Sequence, residues 1–380
     1  MKPLRTYVVI KNFALNLVQP FISFTSVISG ILGEQLGLIS SASSFLPSIM
    51  QFLLGFSRTS GKSLVVYGTV LSAIGWILLA LVPFNLAFTL IYLFLESSLG
   101  ISLFGWYLIM EKVSRTSRGK TLATYSFYST LGGLAATLIT GFIVGGRTQD
   151  IRYFFGITGG LILLDVYFAI KFDVDAVSVK SRVRKLPSEI KKYLAISFIF
   201  FTVWSLAWPL FPLAQYYIFS MNYFNIAIID VISLSSTLVI QRWVGSLVDK
   251  NRKMMMFLGR LSLAAFPLAY ALSTNIWEIY ASQLVSGFTS SINSTAYLSY
   301  LYDSSDDVRK SLGYVNLVQG IAEIVGSSLG SILASVFIAS MGIFGIRELL
   351  GLVGGLRIFA SFLYLILKEP KPFKKPIQVG

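Results

Sequence analysis

Apolar runs long enough to cross a bilayer, each about twenty residues, alternate with short polar stretches from Tyr7 to Leu367. Such a run crosses as an α-helix, because irregular backbone exposed to lipid leaves polar groups unsatisfied. On that scale the pattern predicts spans over 7–31, 36–56, 63–82, 86–111, 119–145 and 150–171, then 192–218, 225–247, 254–273, 276–300, 311–340 and 348–367. Between the sixth and seventh lies a polar link with Lys180, Arg182, Arg184, Lys185, Pro187, Lys191 and Lys192. The expected fold is an all-α membrane protein of twelve transmembrane helices in two six-helix bundles. The first bundle covers 1–171, a basic linker covers 172–191, and the second bundle with a short basic tail covers 192–380.

The second half repeats the first. Gly55–Ser63 (GFSRTSGKS) and Gly245–Lys253 (GSLVDKNRK) are basic hairpins 190 residues apart. The same shift pairs Asn85 with Asn275, Tyr107 with Tyr297, and Lys120-Thr121-Leu122 with Lys310-Ser311-Leu312. Further on, RYFFGITGGL from Arg152 recurs as RELLGLVGGL from Arg347, a shift of 195 after a loop that has gained five residues.

Composition then narrows the chemistry. The chain is 55% hydrophobic and 13% charged over 380 residues, with mean hydropathy +0.73, as a polytopic membrane protein is. It has no Cys and no His, which excludes disulfides, thiolate or imidazole metal sites, Cys nucleophiles and His acid/base chemistry. No Walker-type phosphate loop occurs, so neither an enzyme nor a cofactor is expected. The net charge of +14 sits in short runs between apolar spans rather than on one soluble face, so nucleic acid is not an expected partner. Of 31 Lys and Arg, 24 fall on the side of the termini, three (Arg147, Arg152, Arg347) on the other and four within spans. By the positive-inside rule both termini are cytoplasmic. The first apolar segment is too long for a signal h-region and reads as a retained span.

Six plus six helices in direct repeat, with a basic link and basic hairpins after the second and eighth spans, resemble the major facilitator superfamily over almost the whole chain. Gly245, Asp249, Lys250 and Lys253 fit that family's G-x-x-x-D-[RK]-x-x-[RK] loop. In the first-half copy Gly55 and Lys62 remain, but Thr59 stands where the acid belongs. Arg118-Gly119-Lys120 is similar to the basic loop that opens the family's fifth helix. The resemblance implies a gate built from Gly55, Arg118, Gly245, Asp249, Lys250 and Lys253, with Asp249 docking at the start of the fifth helix. An anion gains there from the helix dipole.

Polar side chains in lipid are costly and mark a cavity or a partner. Asn12, Asn16, Gln19 and Ser23 form one stripe on the first helix. Gln283, Ser286, Ser290, Asn293 and Tyr297 form another on the tenth, and Asn316, Gln319, Glu323 and Ser327 a third on the eleventh. The expectation is that these stripes line a central path; the alternative is polar glue between helices. Asn16, Gln19, Gln283, Asn293, Asn316 and Gln319 are therefore substrate-binding candidates. Trp204 and Trp208 join them on the seventh span, where Pro209 and Pro212 break the helix. Glu96 is the first proton-coupling candidate, followed by Glu323 and Asp230, because a buried carboxyl can load and release a proton. Arg357 is expected to neutralise Glu323, Asp165 to sit on a peripheral helix, and Lys11 to snorkel to the interface.

These features, taken with the resemblance, imply a monomeric secondary active transporter of the plasma membrane. It would move a small solute by alternating access, with H+ as coupling ion. The alternatives are an efflux antiporter, although the fifth span lacks the Gly-Pro pair of the family's antiporters, or a lipid-handling or sensory protein with the same fold.

Overall fold

The computed structural model describes residues 2–113, 118–177, 186–248, 251–304 and 308–369. Among them there is no strand, and one isolated bridge joins Ser60 to Val177. The first half contains α1 (Lys2–Asn16), α2 (Ile22–Ile28), α3 (Glu34–Leu54), α4 (Gly61–Leu81), α5 (Leu86–Val113), α6 (Arg118–Val144) and α7 (Ile151–Ile170). The second contains α8 (Ser188–Ser205), α9 (Leu210–Tyr217), α10 (Tyr223–Val248), α11 (Arg252–Ser262), α12 (Ala265–Leu272), α13 (Ile276–Ser282), α14 (Val285–Ser304), α15 (Val308–Met341) and α16 (Phe344–Phe362). Ten helical stretches among the described residues are long and apolar enough to cross a membrane. Their outward faces carry large apolar side chains such as Leu81, Phe142, Trp243 and Phe359, the surface that hydrocarbon solvates.

Several spans are broken, and the breaks follow the sequence. Pro209 and Pro212 lie where α8 gives way to α9, as expected from the sequence. The first span is also broken, between α1 and α2, where Pro20 sits in a 3-10 turn over Gln19–Phe21. A third break separates α11 from α12. There Pro267 has no N–H to give the carbonyl of Leu263 four residues back.

The repeated asparagines act alike. Asn85 Oδ1 accepts from the N–H of Ala87 at 2.9 Å, and Asn275 Oδ1 from that of Glu278 at 3.2 Å. Each starts the helix behind it by taking an orphan N–H. Tyr107 and Tyr297 are not equivalent, since Tyr107 faces outward and Tyr297 is buried, its hydroxyl donating to Met256 O at 2.7 Å.

At the end opposite the termini, one apolar core runs through both halves and includes Phe21, Phe24 and Val144 with Leu213, Tyr223 and Ile346. Toward the termini the core divides. Tyr7, Ile109 and Phe172 pack together in the first half, and Tyr193, Met256 and Tyr300 in the second. The halves are thus sealed at the far end and separately packed at the other. Along α3 and α15 they stay joined by Ser327 Oγ to Gly37 O at 2.7 Å, Ser44 Oγ to Glu323 Oε2 at 2.5 Å and Asn316 Nδ2 to Gln51 Oε1 at 3.3 Å. Ser331 Oγ also donates to Gly33 O. Only glycine fits at position 37, where a Cβ would stand 2.8 Å from Ser327 O.

Candidate functional site

A cavity of about 350 Å³ lies between the halves and takes its walls from both. From the first half come Pro20, at the break of the first span, then Ser23 and Phe24, with Ser40 of α3. The second half supplies Trp208, Phe211 and Gln215 around the α8–α9 break, Asp230 and Ser233 of α10, and Gln283 between α13 and α14. Its volume is at the lower end of the range for small-molecule sites, about 300–1,000 Å³. Breaks on both sides place irregular backbone beside the space, an arrangement tolerated at membrane depth only around a cavity or inside protein.

Asp230 is the ionisable group of this wall. Thr137 Oγ1 on α6 lies 3.2 Å from Asp230 Oδ2 and 3.2 Å from the carbonyl of Asn16. One hydroxyl therefore bridges α1, α6 and α10 at the seam between the halves. Toward the far end, Thr25 and Tyr223 join their hydroxyls at 3.0 Å. The Tyr223 ring packs against Phe21 and Phe24 with centroids at 5.6 and 5.4 Å, and its N–H donates to Gly145 O at 3.1 Å. These contacts cover the cavity on the side away from the termini.

Of the sequence-predicted substrate residues, Trp208 and Gln283 reach the cavity with Asp230. The others point elsewhere. Asn16 donates back to Asn12 O at 2.8 Å and touches the site through Thr137. Trp204 packs edge-on against Trp208, centroids 4.9 Å apart, one layer behind the wall. Asn293 Oδ1 is 3.5 Å from Arg260 Nη1, inside the second half. Asn316 and Gln319 correct the expectation of a cavity-lining stripe on the eleventh span: they bond Gln51 and Glu323 at the α3–α15 seam. In the tenth-span stripe beyond Gln283, Ser286 and Tyr297 are buried while Ser290 and Asn293 are exposed. Ser40, Phe24 and Phe211 were not singled out. The run Ser40-Ser41 before Ser43-Ser44 was a signal, since small residues let helices approach closely.

Both buried glutamates have protein donors. Gln19 Nε2 donates to Glu96 Oε1 at 3.3 Å, and Gln19 adjoins Pro20 of the cavity wall. Glu323, wholly buried, accepts from Ser44 and from Gln319 Nε2 at 2.7 Å.

The expected Arg357–Glu323 pair does not form. Arg357 Nη1 donates to Leu263 O at 2.7 Å and Nη2 to Trp204 O. These are the carbonyls freed at the α11–α12 and α8–α9 breaks, where Pro267 lacks a donor and Trp208 N turns to Ser205 O at 3.0 Å. Arg357 is thus a shared cap for two broken helices. Arg260 stands in an aromatic cage, 3.9 Å from the Tyr297 ring centroid and 4.6 Å from that of Phe201. Nor does Lys11 snorkel. Its ammonium donates to Ser102 Oγ at 2.8 Å and Tyr7 OH at 3.1 Å within the first half. Asp165 is fully buried, and neither oxygen has a hydrogen-bond partner among the described residues.

At the terminus end each half carries the same joint. Asp175, just after α7, accepts from the N–H of Lys62 at 2.9 Å and from Ser60 Oγ at 2.7 Å. Glu369, just after the last helical turn, accepts from the N–H groups of Arg252 and Lys253 at 2.9 and 2.8 Å. Lys62 Nζ reaches Phe172 O at 2.9 Å, and Lys253 Nζ reaches Leu365 O at 3.4 Å. A carboxylate at a helix N-terminus satisfies orphan donors and meets the positive end of the dipole. Burial opposes the Asp175 charge, but the Lys62 N–H, the Ser60 hydroxyl, the Ala176 N–H and the charge of Lys112 outweigh it and hold the carboxyl below its usual range. Lys253 is thereby placed beside Glu369, Gly55 caps α3 and Gly245 lies within α10. Asp249 and Lys250 fall outside the described residues, as does the side chain of Arg118.

No group of three or more acidic side chains able to hold a metal occurs among the described residues. No curated protein matches the sequence. The fold has clear relatives. A mutant form of the nucleoside transporter NupG superimposes with TM-score 0.75 at 13% identity, covering 97% of this chain and 100% of that one. An auto-inhibited POT family peptide transporter gives 0.81 at 9% identity, covering 99% and 98%. A bacterial homologue of human drug peptide transporters gives 0.72 at 11%, covering 96% and 97%. These neighbours are transporters rather than enzymes. Residues 193–379 match the family model described as Major Facilitator Superfamily. The chain is thus similar to that family's model through its second half, and its whole fold is like that of these transporters.

Proposed function

We propose that this protein is a secondary active transporter of the plasma membrane that moves a small solute by rocking two six-helix bundles about the cavity. The observation that carries the reading is the cavity itself, walled by both halves and covered on one side by the Thr25–Tyr223 contact. The twelve spans are the ten long apolar stretches, α6, and α13 with α14. α6 contributes the shorter apolar segment Tyr128–Val144. The bundles are 1–171 and 192–380, joined by 172–191, with both termini in the cytoplasm.

Protons drive the cycle through Glu96 and Glu323, with Asp230 at the solute. Gln19 and Pro20 are neighbours in one 3-10 turn, so a change in the cavity wall moves the amide that holds Glu96. Glu323 lies on the seam between the halves, where its bond to Ser44 forms and breaks as the bundles rock. The joints at Asp175 and Glu369 keep each bundle rigid while it moves.

Proteoliposomes containing the purified protein and an imposed pH gradient test this reading. Uptake of a panel of nucleosides, short peptides and amines should include one solute accumulated above its outside concentration, and a protonophore should abolish the accumulation. If no solute is taken up faster than into empty liposomes, with the protein shown to be folded and oriented, the reading fails.

A further inference from the structure

Resting on the transporter reading, we infer that the solute is a small organic cation, a protonated amine carried on an apolar or aromatic body. The wall's charge balance carries this. Among the described residues Asp230 is its single ionisable side chain, and no Lys or Arg lines it. One Asp230 oxygen meets Thr137, and the other has no hydrogen-bond donor among the described residues. Nearby cations are committed elsewhere. Arg357 lies behind Phe211, 5.9 Å from its ring centroid, with donors given to two backbone carbonyls. Arg260 is enclosed by Tyr297 and Phe201.

An anionic solute would therefore enter a low-dielectric space that offers it a carboxylate and no counter-charge, a costly arrangement. A neutral solute would leave the Asp230 charge unpaired when water is expelled. An ammonium N–H can donate to the open carboxylate oxygen, and Trp208, Phe211 and Phe24 in the wall suit an apolar or aromatic body and can add cation–π attraction. The Gln215 amide nitrogen is held by its bond to Tyr270 OH at 2.9 Å, which leaves the amide oxygen free to accept. With it, the hydroxyls of Ser23, Ser40 and Ser233 and the Gln283 amide oxygen can accept the remaining ammonium protons.

The test uses three probes that share one phenethyl body on the purified protein: phenethylamine, 2-phenylethanol and 3-phenylpropanoate. Binding is followed by thermal shift and by calorimetry. Phenethylamine should bind at least about tenfold more tightly than either of the others, and Asp230→Asn should erase that preference. The comparison of probes on the wild-type protein stands even if the variant fails to fold. Equal or tighter binding of the alcohol or the carboxylate, no phenethylamine binding at about 10 mM, or a preference unchanged in Asp230→Asn overturns the inference. Concentrative uptake of a neutral or anionic solute with no amine uptake would sink this inference and leave the transporter reading standing. No uptake of any solute would remove that reading, whatever the binding results.

Discussion

Thr137 and Asp230 face each other across the seam between the halves, hydroxyl to carboxylate at 3.2 Å, and the same hydroxyl reaches the carbonyl of Asn16. Any rocking of the bundles must stretch or break this contact. Thr137→Val keeps the shape and removes the donor. A net hydrogen bond of this kind contributes about 1.5–3 kcal/mol when one partner is charged. In a double-mutant cycle for thermal stability, Thr137→Val and Asp230→Asn should therefore couple by at least about 0.5 kcal/mol. Strict additivity would mean that the two side chains act independently.

Arg357 holds two helix breaks at once. Removing it as Arg357→Met orphans the carbonyls of Leu263 and Trp204, and each such loss costs about 1–3 kcal/mol. The melting temperature should fall more than for any surface substitution. Pro267→Ala in that background should recover part of the loss, because the restored N–H can reach Leu263 O. Glu323→Gln should not reproduce the defect, since Glu323 bonds Ser44 and Gln319 instead.

Asp175 and Glu369 are equivalent joints. Asp175→Asn and Glu369→Gln should each cost on the order of 1 kcal/mol, the usual value of a helix cap. For Asp175 the sign with pH is fixed. Its carboxyl is held below the usual range, so its contribution is complete above the unfolded value of about 3.9 and fades as pH falls through the folded one. The difference in melting temperature between wild type and Asp175→Asn should be flat from about pH 5 to 8 and shrink only below about pH 4. A difference that shrinks near neutrality would contradict the assignment.

Glu96→Gln and Glu323→Gln separate coupling from binding. If protons pass through these groups, the variants should retain solute exchange across the membrane and lose accumulation driven by a pH gradient. Uptake assays in proteoliposomes read both quantities. Undiminished, protonophore-sensitive accumulation in both variants would remove these carboxylates from the coupling path.

Much of the fold was legible in the chain because membrane helices are written at the scale of a whole span. The span limits fall within a few residues of the helices wherever both are described. Asn85 and Asn275, paired only by spacing, both start helices. Less of the site was legible. A periodic stripe says that one face of a helix is special without saying what lies opposite. The stripe through Asn316, Gln319 and Glu323 faces α3, whose serines and Gly37 accept it closely. Trp208 reaches the cavity because the chain breaks beside it, the break that Pro209 announced, whereas Asp230 reaches it from within the unbroken α10. Ser23 of the first-helix stripe does line the cavity, but the breaks at Pro20 and Pro267, the wall at Phe24 and the role of Arg357 are not among the expectations drawn from the chain. Lys11 lay close enough to the span's end for its long side chain to turn either way, and only the hydroxyls of Ser102 and Tyr7 decide the direction.

The central claim, that the bundles open alternately at their two ends, can be tested by distance. The native chain has no Cys, so paired spin labels report only where they are placed. Gly146→Cys and Trp277→Cys label the far end, at an open glycine and an exposed tryptophan. Arg58→Cys and Lys368→Cys label exposed positions at the terminus end. Double electron–electron resonance in nanodiscs, with pH and added solute varied, should give two distances for each pair, the far-end pair lengthening as the terminus-end pair shortens. A single unchanging distance in both pairs, or two pairs that lengthen together, would contradict alternating access in this protein.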